Sequence, residues 1–166
     1  MNYHNILHDN MLNGDGLRVV LFVSGCDHHC NKCQNPQAWD TCSGIQFDLA
    51  AKEEIFEQLS KDYISGITFS GGDPLHSHNY LEVFLLINEI RKKFPSKNIW
   101  LYTGYTWEQL QNTREKMKVV VSCDVLVDGE FMQDLADVNY KWAGSTNQRV
   151  IDVQKSLREN KIVLYE

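Results

Sequence analysis

Nothing in this chain reaches the roughly 18 consecutive apolar residues that mark a membrane-spanning helix. Its opening, Met1-Asn2-Tyr3-His4-Asn5, is polar and lacks the apolar core of a secretory leader. Both absences predict a cytoplasmic protein with no membrane contact. Positive charge is also in short supply: 16 Lys and Arg stand against 22 Asp and Glu, a net −6. Such a surface offers no basic field to a phosphate backbone, so nucleic acid is not an expected partner. Proline is scarce, three in 166 residues, and no repeat, low-complexity tract or linker interrupts the sequence. With 43% hydrophobic residues, this length predicts one globular domain, residues 1–166, with its own core.

The five cysteines are not scattered. Three of the five lie in Cys26-Asp27-His28-His29-Cys30-Asn31-Lys32-Cys33, a C-x3-C-x2-C loop behind the apolar run Val19–Val23. An odd total with three clustered fits metal binding in a reducing compartment better than a disulfide framework. Thiolates are soft ligands suited to iron–sulfur clusters, zinc or Cu(I). Three neighbouring ligands without an obvious fourth suit a four-iron cubane whose last iron stays open to something else. Other assignments compete. A closed zinc site needs four ligands, which Cys42, His28 or His29 would complete. Cys42 would likewise close an electron-transfer cluster, and the bland account is three thiols that merely pack.

Taken in order, the chain alternates strand-like and helix-like segments. Leu17–Val23 reads as the first strand, after a turn at Asn13-Gly14-Asp15-Gly16. Asp48 is placed to cap a helix over about 49–61, with Ala51, Ile55 and Leu59 on one stripe. Ser65–Ser70 is a second strand, ended by Gly71-Gly72-Asp73-Pro74. A helix from Ser77 to about Phe94 follows, with Leu81, Phe84, Ile87 and Ile90 inward and Pro95 ending it. Asn98–Tyr102 is a third strand, closed by Thr103-Gly104-Tyr105. Thr106-Trp107-Glu108-Gln109 has the form of a capping box and opens a helix to about Lys116. The near-continuous apolar run Lys118–Val127 reads as a fourth strand buried on both faces, stopping at Asp128-Gly129. Beyond it lie a short helix over about 129–136, strand-like stretches at Arg149–Val153 and Lys161–Tyr165, and a turn over 153–159.

Such alternation predicts an α/β fold with a parallel sheet. The cysteine loop, Gly71–Pro74, Thr103–Tyr105 and Asp128-Gly129 then follow the C-terminal ends of successive strands, the edge on which parallel α/β folds build their sites.

These motifs together resemble the radical S-adenosylmethionine (SAM) superfamily, in which C-x3-C-x2-C follows the first strand and a Gly-Gly-acid-Pro turn the second. Within it the chain is similar to the activating proteins of anaerobic ribonucleoside-triphosphate reductases. The similarity runs through Asn13–Cys33, Asn35–Asp40, Thr68–Leu75, Trp100–Tyr105, Asp124–Phe131 and Gly144–Asp152. Three positions depart from the family patterns: Lys32 stands where an aromatic residue is frequent, Asp73 where Glu is common in the wider superfamily, and Asp15 where Pro is frequent.

The resemblance implies a compact, incomplete (βα) barrel of about five to six mostly parallel strands. It implies that Cys26, Cys30 and Cys33 ligate one 4Fe–4S cluster and that Gly71, Gly72, Asp73, Pro74, Thr103, Gly104, Tyr105 and Asp128 bind SAM. The implied activity is installation of a glycyl radical on the reductase large subunit, with an external low-potential electron donor. Pyruvate formate-lyase or a small molecule, as in deazapurine-forming relatives, is the alternative target. Asn147-Gln148-Arg149 match a late family motif to which spacing gives no role. Arg18 is expected to pair with an internal carboxylate, His28 and His29 to be solvated, Cys123 to be inert core, and Cys42 to stay unligated.

Overall fold

The computed structural model describes residues 1–166. Its strands are β1 (Asn2–Asn10), β2 (Arg18–Val23), β3 (Ile45–Gln46), β4 (Gly66–Gly71), β5 (Asn98–Tyr102), β6 (Val125–Asp128) and β7 (Arg149–Asp152). The helices are α1 (Leu49–Leu59), α2 (Tyr80–Lys93), α3 (Trp107–Gln111), α4 (Arg114–Val121) and α5 (Val153–Glu159). All seven strands join one open sheet in the order β3-β1-β2-β4-β5-β6-β7.

The middle of the sheet is parallel, β2 to β4 to β5 to β6, whereas β1, β3 and β7 pair antiparallel at its flanks. The expected set of five to six mostly parallel strands is corrected accordingly. The strand missed from the sequence is β1, Asn-Tyr-His-Asn-Ile-Leu-His-Asp-Asn. Only Ile6 in it is buried, so it carries no alternating apolar signal; its backbone pairing with β2 holds it in place.

Side chains alternate across each strand. Val19, Leu21, Val23, Ile67, Phe69, Ile99, Leu101, Leu126 and Ile151 enter the main core with Ile55, Leu59, Val83, Ile87 and Ile90 from α1 and α2. The opposite face carries Trp100, Val125, Val127 and Val150, packed with Tyr102, Trp142 and Tyr165. Its lower end is filled by Arg18, fully buried, whose guanidinium meets Thr68 Oγ1 (2.8 Å), Asn98 Oδ1 (2.6 Å), Asp15 O (2.8 Å) and Ile67 O (2.8 Å). No carboxylate joins that set, which corrects the expected ion pair. Burial lowers the Arg18 pKa to about 10, so the group is still charged at neutral pH.

The Asp48 cap and the Thr106–Gln109 capping box form as expected: Asp48 Oδ1 accepts from Ala51 N at 2.9 Å. Lys118–Val127 does not form one strand. Its first part completes α4, Ser122–Asp124 turns, and only Val125–Asp128 is extended. A continuous apolar run cannot separate a buried helix from a buried strand, and here Val119, Val120 and Cys123 face the core from the helical side. Helix α2 starts at Tyr80 rather than beside Ser77; Ile87 and Ile90 face inward as expected, Val83 and Leu86 join them, Phe84 is half-buried against the core and Leu81 is exposed. The expected helix at 129–136 shrinks to one turn at Gln133–Leu135, residues 153–159 form α5, and Lys161–Tyr165 supplies only a bridge from Leu164 to Ile151.

Candidate active site

The cysteine loop leaves β2 through Gly25, at φ +103°, a backbone conformation that favours glycine. Its base is tied to its own return: Gly25 N donates to Ala38 O (2.7 Å) and Cys26 N to Trp39 O (3.0 Å). Within it Cys33 N donates to Cys30 O at 3.1 Å, and His29 and Lys32 adopt positive φ, so the chain coils tightly between the three thiols. Backbone N–H groups face each sulfur. Those of His28 and His29 favour the Cys26 thiolate, that of Phe131 favours the Cys30 thiolate, and Asn35 N lies 3.3 Å from Cys33 Sγ. Burial nonetheless outweighs these donors and pushes Cys26 up to about 11 and Cys30 upward.

The turn after β4 closes onto this loop. Asp73 N donates to Gly25 O and Gly72 N to Val23 O, both at 2.7 Å. A Cβ at Gly71 would lie 2.6 Å from Val23 N, and one at Gly72 2.6 Å from Gly25 O. The close approach these glycines permit in the structure is therefore to the protein's own backbone. Asp73 is 2% exposed and its carboxylate accepts from Thr103 Oγ1 (3.0 and 2.9 Å), Gly104 N (3.1 Å) and Leu75 N (2.8 Å), with His28 Nε2 at 2.7 Å. Asn79, buried, ties the same turn to β2 through Ser24 O (2.7 Å) and Asp73 O (3.0 Å). Asp73 thus gathers the cysteine loop and the turns after β4 and β5. Pro74 is buried beside it.

His28 is not solvated, contrary to the sequence reading. Its other nitrogen, Nδ1, is 3.0 Å from Glu130 Oε1, and its ring stands edge-on to Tyr105 at 4.6 Å. Burial opposes its protonation, but the hydrogen bonds and charges of Asp73 and Glu130 prevail and raise its pKa. His29 is also engaged, stacked on Trp39 at 4.4 Å.

Asp128, 1% exposed, accepts from Trp107 N (2.8 Å) and from Arg149 (3.0 and 2.5 Å). It caps α3 and orients Arg149, whose guanidinium also grips Glu108 at 3.1 and 2.8 Å. Those hydrogen bonds lower the Glu108 carboxyl to about 2 and raise Arg149. Gly104, Asp128, Glu108, Glu130, Asn147 and Arg149 share a cleft of about 500 Å³ whose only apolar lining residue is Met132. Three carboxylates against one guanidinium favour a cationic ligand there. Asn147 Oδ1 is buried with no partner, while its Nδ2 donates to Glu130 O at 2.8 Å. Beside this cleft, a larger cavity of about 770 Å³ is lined by Phe22, Ser70 and Tyr102 at the strand ends and by Gln34 and Asn35 after Cys33. Lys141 is its one charged lining residue.

Three thiols on one short loop, each met by backbone N–H donors, fit a cluster, because N–H···S bonds are how proteins tune such centres. No group of three or more His, Cys, Asp or Glu side chains is gathered about a single point. A zinc site holds four ligands on one ion. A cluster instead spreads its ligands over different irons. The family model described as a 4Fe-4S single cluster domain matches residues 12–151. The anaerobic ribonucleoside-triphosphate reductase-activating protein of Escherichia coli (strain K12) is 43% identical over 152 residues, 90% of this chain and 97% of the relative. The protein of that name from Enterobacteria phage T4 is 41% identical over 150 residues (90% and 93%), and that of Pasteurella multocida 38% over 150 (89% and 95%). The chain belongs to this family of 4Fe–4S activating proteins.

Against that family membership, the structure adds residues that sequence reading left without a role. His28 and Glu130 bridge the loops, and Asn147 and Arg149 join Gly104 and Asp128 in the polar cleft. Phe22, Ser70 and Tyr102 were identifiable in principle, being the last residues of β2, β4 and β5 on the face opposite the helices. Cys123 lies in the core as expected, its thiol raised by burial, and Cys42 is exposed.

Proposed function

We propose that this protein activates an anaerobic ribonucleotide reductase by installing a glycyl radical on its large subunit. One observation carries the reading: the C-x3-C-x2-C loop sits at the C-terminal end of β2, its sulfurs faced by backbone N–H groups, beside a cavity of about 770 Å³. The relatives' shared name supports the target. Cys26, Cys30 and Cys33 would hold the cluster. Bound there, the 4Fe–4S centre with SAM would supply the one-electron radical chemistry, driven by an external reductant, that removes a hydrogen atom from a glycine Cα.

The chain's own residues position and enclose. Gly71, Gly72, Asp73 and Pro74 set the turn that closes on the cysteine loop, and Thr103, Gly104 and Tyr105 continue that wall. Asp128 would act on SAM chiefly by orienting Arg149. The acidic cleft suits a sulfonium with an ammonium, and Asn147 Oδ1 offers an acceptor. The carboxylate-free lining of the larger cavity suits a neutral glycine-bearing segment. We read the open sheet as an incomplete barrel of radical SAM type, residues 1–166 as one domain, and the setting as cytoplasmic with a separate low-potential reductant.

Anaerobic electron paramagnetic resonance of the reconstituted, reduced protein with SAM and the reductase large subunit tests the reading. The expected result is a cluster signal altered by SAM, followed by a glycyl doublet on the partner. A fully loaded protein that shows the SAM response but never the doublet removes the reductase as target, and zinc without labile sulfide removes the chemistry.

A further inference from the structure

The three residues between Cys26 and Cys30 each grip something. Asp27 Oδ2 is 3.1 Å from His76 Nε2, but the Asp27 side chain is 77% exposed. His29 stacks on Trp39, which belongs to the loop's own return. His28 is held more deeply. Its side chain is 10% exposed, with Nε2 2.7 Å from Asp73 Oδ2 and Nδ1 3.0 Å from Glu130 Oε1. The ring also occupies the space above Gly104, where a Cβ would come within 2.5 Å of it, and packs edge-on against Tyr105. One imidazole inside the cysteine loop therefore touches the turn after β4, the turn after β5 and the loop after β6.

We propose that His28 is a positioning residue that locks the cysteine loop to the Asp73 turn and the Glu130 loop, and so fixes the SAM cleft relative to the cluster. This rests on reading residues 26–33 as the cluster loop. Two features separate such a latch from ordinary packing. Asp73 keeps Thr103 Oγ1, Gly104 N and Leu75 N as donors without His28, so the turn retains its own bonds. The backbone bonds from Gly25 and Cys26 to Ala38 and Trp39 secure only the base of the loop. Removing the imidazole takes away the one side chain that joins all three loops, leaving pairwise links such as Asp73 N to Gly25 O at the loop's root and the Phe131 N–H at Cys30. The polar cleft would feel that loss through Glu130, which lines it.

Amide hydrogen exchange on the cluster-free protein tests the latch directly, comparing wild type, His28→Ala and His28→Gln. Losing charge-assisted hydrogen bonds in a buried setting predicts that exchange over residues 27–34 rises roughly tenfold or more in His28→Ala. β4 and β5 should keep their protection, and His28→Gln, which reaches one carboxylate, should recover part of the loss. On anaerobically reconstituted protein, His28→Ala should hold as much iron as wild type yet bind SAM about tenfold more weakly. Unchanged exchange over 27–34, a loss spread evenly through the sheet, or an unchanged SAM affinity would overturn the proposal. A wild-type chain that takes up no cluster would remove the function proposed above, while the exchange comparison would still decide the latch.

Discussion

The two ends of the sheet both bury polar groups, and they satisfy them in opposite ways. At the N-terminal end, Arg18 gives its donors to Thr68, Asn98, Asp15 O and Ile67 O and lies 5.3 Å over the Trp100 ring, which Trp142 and Tyr165 enclose edge-on. Every donor there meets a neutral oxygen of the protein, and nothing points outward. At the C-terminal end, Asp73 and Asp128 are saturated by donors, but three thiols and Asn147 Oδ1 remain available around two cavities. One end is closed chemistry and serves rigidity. The other holds its loops fixed with buried carboxylates so that its remaining groups can meet a ligand. Substitutions at the two ends should accordingly fail in different assays.

The largest effect is expected among the cysteines. Cys26→Ala, Cys30→Ala and Cys33→Ala should each lose the cluster and all activation, measured as iron and sulfide content and as the glycyl doublet, with little change in the melting of the metal-free chain. Cys42→Ala should behave as wild type in every one of these. Full activation in any of the first three would break the assignment of the open end.

Arg18→Leu should do the reverse. It leaves buried oxygens of Thr68, Asn98 and Ile67 short of a donor, and each such loss costs about 1–3 kcal/mol. Urea unfolding should show the chain destabilised by roughly 3 kcal/mol or more, while the molecules that stay folded load iron normally. Loss of cluster binding at unchanged stability would show that the two ends are not separable. Gly72→Ala lies between the two cases, because its Cβ would press on Gly25 O and Ala38 O at the root of the cysteine loop. Overpacking of this kind costs about 1–3 kcal/mol, and here it should appear together with reduced iron loading. Wild-type loading in Gly72→Ala would show that the turn tolerates displacement.

The same contrast explains what the sequence made legible. The central strands, their order along the site edge and the cysteine loop could be read because periodicity, turn residues and ligand spacing are local properties. The fate of Arg18 could not, since its partners Thr68 and Asn98 are far along the chain and carry no charge to suggest a pair. Nor could that of His28, where histidine between polar loop residues reads as solvated until Asp73 and Glu130 arrive from two other strands. Asp128 shows the converse: its place at a strand end was legible, but Trp107 N and Arg149, which engage its oxygens, belong to elements whose packing no pattern announces. The α4–β6 boundary failed for a different reason, an apolar run with two equally buried solutions.

The smallest predicted effect lies on the rim of the open end, where Arg149 bridges buried Asp128 and exposed Glu108. Arg149 holds the Glu108 carboxyl at about 2, below its ordinary 4.5. A carboxyl depressed on folding contributes stability that is present above the unfolded pKa and is lost as pH falls from about 4.5 through about 2. Glu108 is 59% exposed, so solvent screening limits the pair to about 1 kcal/mol or less. Glu108→Gln should therefore lower stability slightly at pH 7, and the difference from wild type should vanish toward pH 2 and shrink in high salt. Arg149 keeps its bonds to Asp128 in this variant, so SAM affinity should move little. If Glu108→Gln instead weakens SAM binding as strongly as a change at His28, the acidic rim acts on the ligand directly, and the division between groups that position and groups that contact would have to be redrawn around Glu108.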